Sequence, residues 1–372
     1  MRLDPPAVIR PRALSGVDRL IALVAVGVFG SAVLTVTGPA PVVSASAAAT
    51  SRSVGAATVG EVVPSRPQPV VRTEGAVVHA TPRRTVSRPA HTVTPARAKT
   101  AARSPQHRHV QPYVPSGTGM WIYQWHHTNG GSAHAIVARA KQVGLSTLFV
   151  RTGSSWDGFT GGHLGQLLRA TRGTNVHVVA WDFPSLRHPV RDAHRLAHAA
   201  RFHRGSSGPH VAAVAPDIET PAEGTFNAAW RVRQYLRVLN RHLPKGVTIL
   251  ATVPWPSRYR LADYPYRTVA QGSDVLVPMA YWYNNPPREV TARSISYLRR
   301  FNKPVQPVGQ GYDGKLDVPS LRHNRLAREV PVFFRTAHSK GARAVSIWSW
   351  QSAPHATWRA LARAHRLFDK RP

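Results

Sequence analysis

Val211-Ala-Ala-Val-Ala-Pro-Asp-Ile-Glu-Thr220 is an apolar run that ends in two carboxylates one residue apart, Asp217 and Glu219. In a strand, residues i and i+2 point to the same face, so both acids project together from its C-terminal end. Acids are scarce in this chain, with 17 Asp+Glu against 49 Lys+Arg in 372 residues and a formal net charge of +32. Two of them side by side at the end of so apolar a run point to chemistry. A helix cap or an arginine partner is the structural alternative.

Working outward, further runs of strand length recur: Met120–Trp125, Thr147–Arg151, Val176–Trp181, Thr248–Val253, Val275–Met279, Val305–Val308 and Ala344–Trp348. Between them lie segments with apolar spacings of three and four: Ala133–Val143, Leu164–Ala170, Val190–Phe202, Phe226–Leu243, Ala292–Phe301 and Leu321–Ser339. Only Tyr259–Gly272 reads as short and irregular. Continuous apolar strands alternating with helices predict an α/β fold whose parallel sheet is covered on both faces. Eight such units match a (β/α)8 TIM barrel. An open doubly wound sheet is the competing architecture, but Gly130-Gly131 does not make its glycine-rich phosphate turn.

A barrel carries its active site at the C-terminal strand ends. Those positions hold Gln124, Trp125, Arg151, Trp156, Asp157, Trp181, Asp182, Asp217, Glu219, Trp255, Tyr281, Trp282, Tyr283, Gln310, Tyr312, Asp313, Trp348, Trp350 and Gln351. Of the ten tryptophans, only Trp121, Trp230 and Trp358 read as clearly away from this rim. Flat aromatic faces suit the apolar faces of sugar rings, and Asp, Gln and Arg bind hydroxyls directionally. Two acids at such a rim are what glycosidic cleavage requires: one protonates the leaving oxygen, and the other supports an oxocarbenium-like centre. Like charges in a partly dry pocket raise one pKa, and the longer Glu219 is the expected acid beside Asp217.

These residues resemble glycoside hydrolase family 18, the barrel of chitinases and related enzymes. The resemblance lies in D-x-E at the fourth predicted strand, Met279-Ala280-Tyr281 at the sixth and Trp348 at the eighth. It covers the barrel only, and it implies Glu219 as acid, Asp217 as its assistant and Tyr281 as a contact to a substrate N-acetyl group. The chain departs from that pattern at Ala212 and Ala215, where the family has further acids, and at Trp282, where it has an aspartate. A weaker resemblance is to the family 25 lysozymes, in Ile218-Glu219-Thr220 and Trp348–Ser352. Their first-strand acid is absent from Met120–Trp125.

The N-terminal part reads differently. Arg2, Arg10, Arg12 and Arg19 precede an apolar stretch, Leu20–Val36, and the small-residue run Ser44–Ala49 follows. Residues 1–38 are therefore expected to be a secretory signal, cleaved after Ala45 or Ala47, or an uncleaved membrane anchor. Residues 39–116 are rich in Pro, Ala, Val and Arg without a structural period, which predicts a disordered basic linker. Both readings place the barrel, residues 117–372, outside the cytoplasm. With no cysteine, its core must hold it together.

Of the basic residues 35, and of the acids 13, fall in residues 117–372. That balance favours anionic envelope polymers as surroundings. Export and the lack of a nucleic-acid module argue against nucleic acid. His194 and His198 share a helix face without a third ligand, and His107-Arg108-His109 lies in the linker, so no metal is expected. No cofactor signature is present, and no nucleophile-elbow sequence supports serine hydrolysis. The expected function is an exported glycoside hydrolase acting on a cell-wall or environmental polysaccharide, such as a peptidoglycan-like glycan. A non-catalytic glycan-binding barrel is the alternative.

Overall fold

The computed structural model describes residues 113–202 and 209–368. The expected signal or anchor, and the linker up to residue 112, lie outside the described residues. Among those described, no helix is long and apolar enough to cross a membrane.

Eight parallel strands close on themselves: β1 (Gly117–Ile122), β2 (Leu145–Ser154), β4 (His177–Phe183), β5 (Ala213–Pro216), β6 (Thr248–Pro254), β7 (Val275–Ala280), β8 (Val308–Gln310) and β9 (Ala344–Trp348). β1 pairs with both β2 and β9, which closes the barrel. A two-residue strand, β3 (Gly158–Phe159), folds back antiparallel onto β2. Gly153 makes that hairpin possible, since a Cβ there would lie 2.0 Å from the Gly158 carbonyl oxygen.

The expected α/β TIM barrel is thus present, with shifted element ends. β1 stops at Ile122, so Trp125 stands on the following loop. β8 is Val308–Gln310, and Val305 makes only an isolated bridge to Leu276. The irregular stretch after β6 contains two short helices, Arg260–Asp263 and Tyr266–Gly272. The last helix, His355–Phe368, was not read from sequence.

Two apolar layers hold the fold. One lies between sheet and helices; the other fills the lumen with Trp121, Phe149, Trp181, Phe183, Leu250 and Met279. Trp181 pairs in register with Ala215, so the small β5 side chain leaves space on the lumen side for the indole. Trp121 donates its indole N–H to Ser346 Oγ at 2.9 Å, and Trp181 donates to the Ile122 carbonyl at 3.1 Å. The bottom is sealed by residues assigned to the linker by composition. Tyr113 bonds Thr147 Oγ1 at 3.1 Å, and its carbonyl accepts from Thr248 Oγ1 at 2.7 Å. Gln306 donates to the Pro115 carbonyl at 2.8 Å.

Candidate active site

The D-x-E motif leaves the top of β5 in extended geometry. Asp217 still bridges Thr252 of β6. Asp217 and Glu219 both line a pocket of about 190 Å3 at the C-terminal mouth, while Ile218 between them is fully buried in the helix-side core. The alternation read from sequence therefore holds. Tyr264 fixes this segment by donating to the Ile218 carbonyl at 2.6 Å. Trp181, Trp255, Trp348 and Tyr123 supply aromatic walls, and Tyr281, Tyr283 and Tyr312 bring phenols. Trp348 packs against Trp181 at 5.5 Å and against Tyr123 at 5.7 Å between ring centroids.

The electrostatics suit proton transfer. Asp217 is 7% exposed, and its Oδ1 has no hydrogen-bond partner. Burial, reinforced by Glu223 and Asp182, pushes its pKa up to about 7. Glu219 is raised well above the usual carboxyl range by burial, then by Glu223 and Asp217, with Arg260 opposing. The Tyr281 phenol is likewise raised by burial and by the two acids. Both carboxyls thus retain protons where free acids would have lost them.

A wider groove of about 830 Å3 lies beside the pocket, lined by Trp125, Arg151, Trp156, Asp157 and His163 among others. Trp125 stacks on His163 at 5.1 Å, and Trp156 is 60% exposed. Arg151 pairs with Asp157 at 2.6 Å and sits over the Tyr123 ring at 5.2 Å. His126 and His127 also border this groove.

Three residues expected at the substrate lie elsewhere. Asp182 is buried behind the pocket and held by Arg195, whose Nε and NH2 donate at 2.7 and 2.8 Å. It neighbours Trp181 along β4, so it points to the opposite face. Trp282 is fully buried and donates to Glu329 Oε2 at 3.0 Å. Gln310 is spent on structure: its Oε1 accepts from Tyr283 N at 2.8 Å, and its Nε2 donates to Asn324 Oδ1 at 2.8 Å. Trp121 and Trp350 are also interior. His194 and His198 pack on His242 and Phe159. Among the described residues, no group of three or more His, Asp or Glu could hold a metal.

Tyr283, read at the rim, lines the pocket, while sequence reading missed Tyr123, Glu223, Arg260 and Asp317, which line it too. Tyr123 follows Trp121 by two and was available from strand alternation. Glu223 closes a Thr-x-x-Glu capping box with Thr220, a readable pattern. Arg260 and Asp317 come from irregular segments and carry no such pattern.

No protein-family model and no curated protein matches the chain. Solved structures do. The endo-1,4-beta-mannanase of Rhizomucor miehei matches with TM-score 0.51 and 7% identity, over 69% of this chain and 95% of that one. A GH99 endo-alpha-mannosidase from Bacteroides thetaiotaomicron matches with TM-score 0.50 and 12% identity, over 69% and 98%. A chitinase from Chromobacterium violaceum matches with TM-score 0.48 and 12% identity, over 67% and 99%. With the first two the chain shares its fold, an eight-stranded parallel (β/α)8 barrel.

Proposed function

We propose that this chain is an exported glycoside hydrolase that cleaves a cell-envelope or environmental polysaccharide by carboxylate acid/base catalysis. The observation that carries the reading is the pairing of Asp217 and Glu219 in one aromatic-walled pocket, with both pKa values raised. Glu219 is the general acid that protonates the glycosidic oxygen. Asp217, titrating at about 7, orients it and, once ionised, supports the positive charge growing at the anomeric carbon. Tyr281 stands beside both acids, where it contacts an N-acetyl group if the sugar bears one. Trp255 and Trp348 stack on sugar rings in the pocket, with buried Trp181 backing Trp348, while Trp125, Arg151 and Asp157 bind along the groove. Export rests on the residue 1–49 pattern, and attraction to anionic envelope polymers rests on the net charge of +32.

A second reading, a non-catalytic glycan-binding barrel, is favoured by one observation. Fully buried Ala215 stands on β5, beside Trp181, where a further family acid would sit. Incubating the protein with a panel of glycans and measuring new reducing ends separates the two. Turnover lost in Glu219→Gln supports hydrolysis, and binding without turnover in the wild type supports the binding barrel.

A further inference from the structure

Tyr123 and Glu223 line both the narrow pocket and the wide groove, so Glu223 is a charged group at the junction between them. Its place is built by a tight turn. Glu223 Oε2 accepts from Thr220 N at 3.0 Å and also from the Thr220 hydroxyl, and Gly224 ends the turn at φ 92°. Glu223 Oε1 lies 3.7 Å from Arg260 NH2. The same loop ties back to the motif, because Asn227 Nδ2 donates to the Glu219 carbonyl at 3.0 Å.

Glu219 and Glu223 line the same pocket, and after burial Glu223 is the foremost influence that raises Glu219. Two acids sharing one pocket resist carrying charge together, so one of them keeps its proton. Thr220 N–H, Thr220 O–H and the Arg260 guanidinium all present donors to Glu223, which makes it the acceptor and leaves the proton on Glu219. The other charged or titratable groups facing this pair are Asp217 just beyond β5, with Asp182 of β4 acting on it from behind, and the phenols Tyr264, Tyr281 and Tyr283.

We propose that Glu223 is a positioning residue for the reaction: clamped by Thr220 and Arg260, its carboxylate holds the Glu219 proton at the point where a glycan passes from groove to pocket. This rests on the hydrolase reading. It adds a residue that the D-x-E motif does not contain, and it locates proton delivery at the boundary of the two cavities. Arg260 has the opposing part, since its charge favours an ionised Glu219.

The full-length protein, labelled with 13C at glutamate side chains, tests this by carboxyl titration of the wild type, Glu223→Gln and Arg260→Gln. Glu223→Gln is expected to lower the pH at which Glu219 loses its proton by about one unit or more, and Arg260→Gln to raise it. The alkaline limb of turnover should move in the same two directions, with kcat falling about tenfold in Glu223→Gln and KM changing less. Glu223→Asp should restore part of the shift. A Glu219 titration identical in wild type and Glu223→Gln, with only the melting temperature lowered, would overturn the proposal and leave Glu223 a turn cap. If the wild type cleaves no glycan, the hydrolase reading fails, while the titration still decides whether Glu223 holds the proton.

Discussion

At the N-terminal mouth of the barrel, Tyr113, Pro115 and Ser116 are tied to Thr147, Thr248, Gln306 and Ser146 by hydrogen bonds. The cavity left there is about 10 Å3, at the lower limit for a single water. At the C-terminal mouth the same strands open into spaces of about 190 and 830 Å3. There Asp217 keeps a buried oxygen without a partner, and Arg151 keeps its Nε unbonded. One end satisfies its polar groups; the other gathers acids around a pocket and leaves a buried carboxyl oxygen unbonded. A (β/α)8 barrel tolerates this because closure and bottom packing hold the scaffold while the upper loops carry chemistry. The lesson is where to expect each kind of damage: changes at the bottom should cost stability, and changes at the top should cost activity.

The strongest way to break this contrast is Glu219→Gln. Shape and hydrogen-bonding capacity remain, but the transferable proton goes, so turnover should fall about 10²-fold or more. Melting temperature should hardly move. A parallel collapse of stability would show that the top is structural after all.

Tyr113→Ala probes the other end. It removes a half-buried ring packed on His177 at 4.7 Å and a bond to Thr147, and about 2 kcal/mol of unfolding free energy should be lost. Reducing-end release at a temperature where the variant is folded should match wild type. Unchanged stability would place the domain boundary after Tyr113 and empty the contrast.

Trp348→Ala sharpens the picture inside the upper mouth. Losing one stacking wall should weaken glycan binding about tenfold while the proton donor stays intact. Isothermal titration calorimetry with an unreactive Glu219→Gln background isolates that term. If affinity holds, the sugar is not read by this indole.

Much of this architecture was legible from hydrophobic runs, because strands buried on both faces leave continuous apolar signatures of fixed length. The site was legible where alternation applied. Asp217 and Glu219 share a face, and Tyr281 enters the pocket. The same rule, followed one residue further, sends Asp182 and Trp282 the other way, since each neighbours a pocket residue. Expecting them at the substrate treated every strand end as inward-facing. Gln310 reads as a ligand residue by type, but its amide is consumed by Tyr283 and Asn324. Arg260 and Asp317 reach the pocket from a short helix and an irregular loop, whose course is set by tertiary packing that no local period reports.

The smallest expected effect is also the least intuitive, because a change in the site should stabilise the fold. Asp217 has a folded-state pKa raised from 3.8 to about 7. An acid shifted upward binds its proton more tightly when folded. Its contribution to stability is therefore fully present below pH 3.8 and is lost as pH rises through about 7. Above that point the wild type carries a buried charge whose Oδ1 has no donor. Asp217→Asn removes the charge, so at pH 8 the variant should be more stable than wild type by about 1 kcal/mol. The gain falls short of the full linkage because asparagine still leaves a polar atom unpartnered in the same place. At pH 4, where Asp217 is neutral in the folded protein, the two should unfold at the same urea concentration. Equal stability at both pH values would mean that a donor reaches Asp217 in solution, and the difference between the two mouths would then shrink to one of shape.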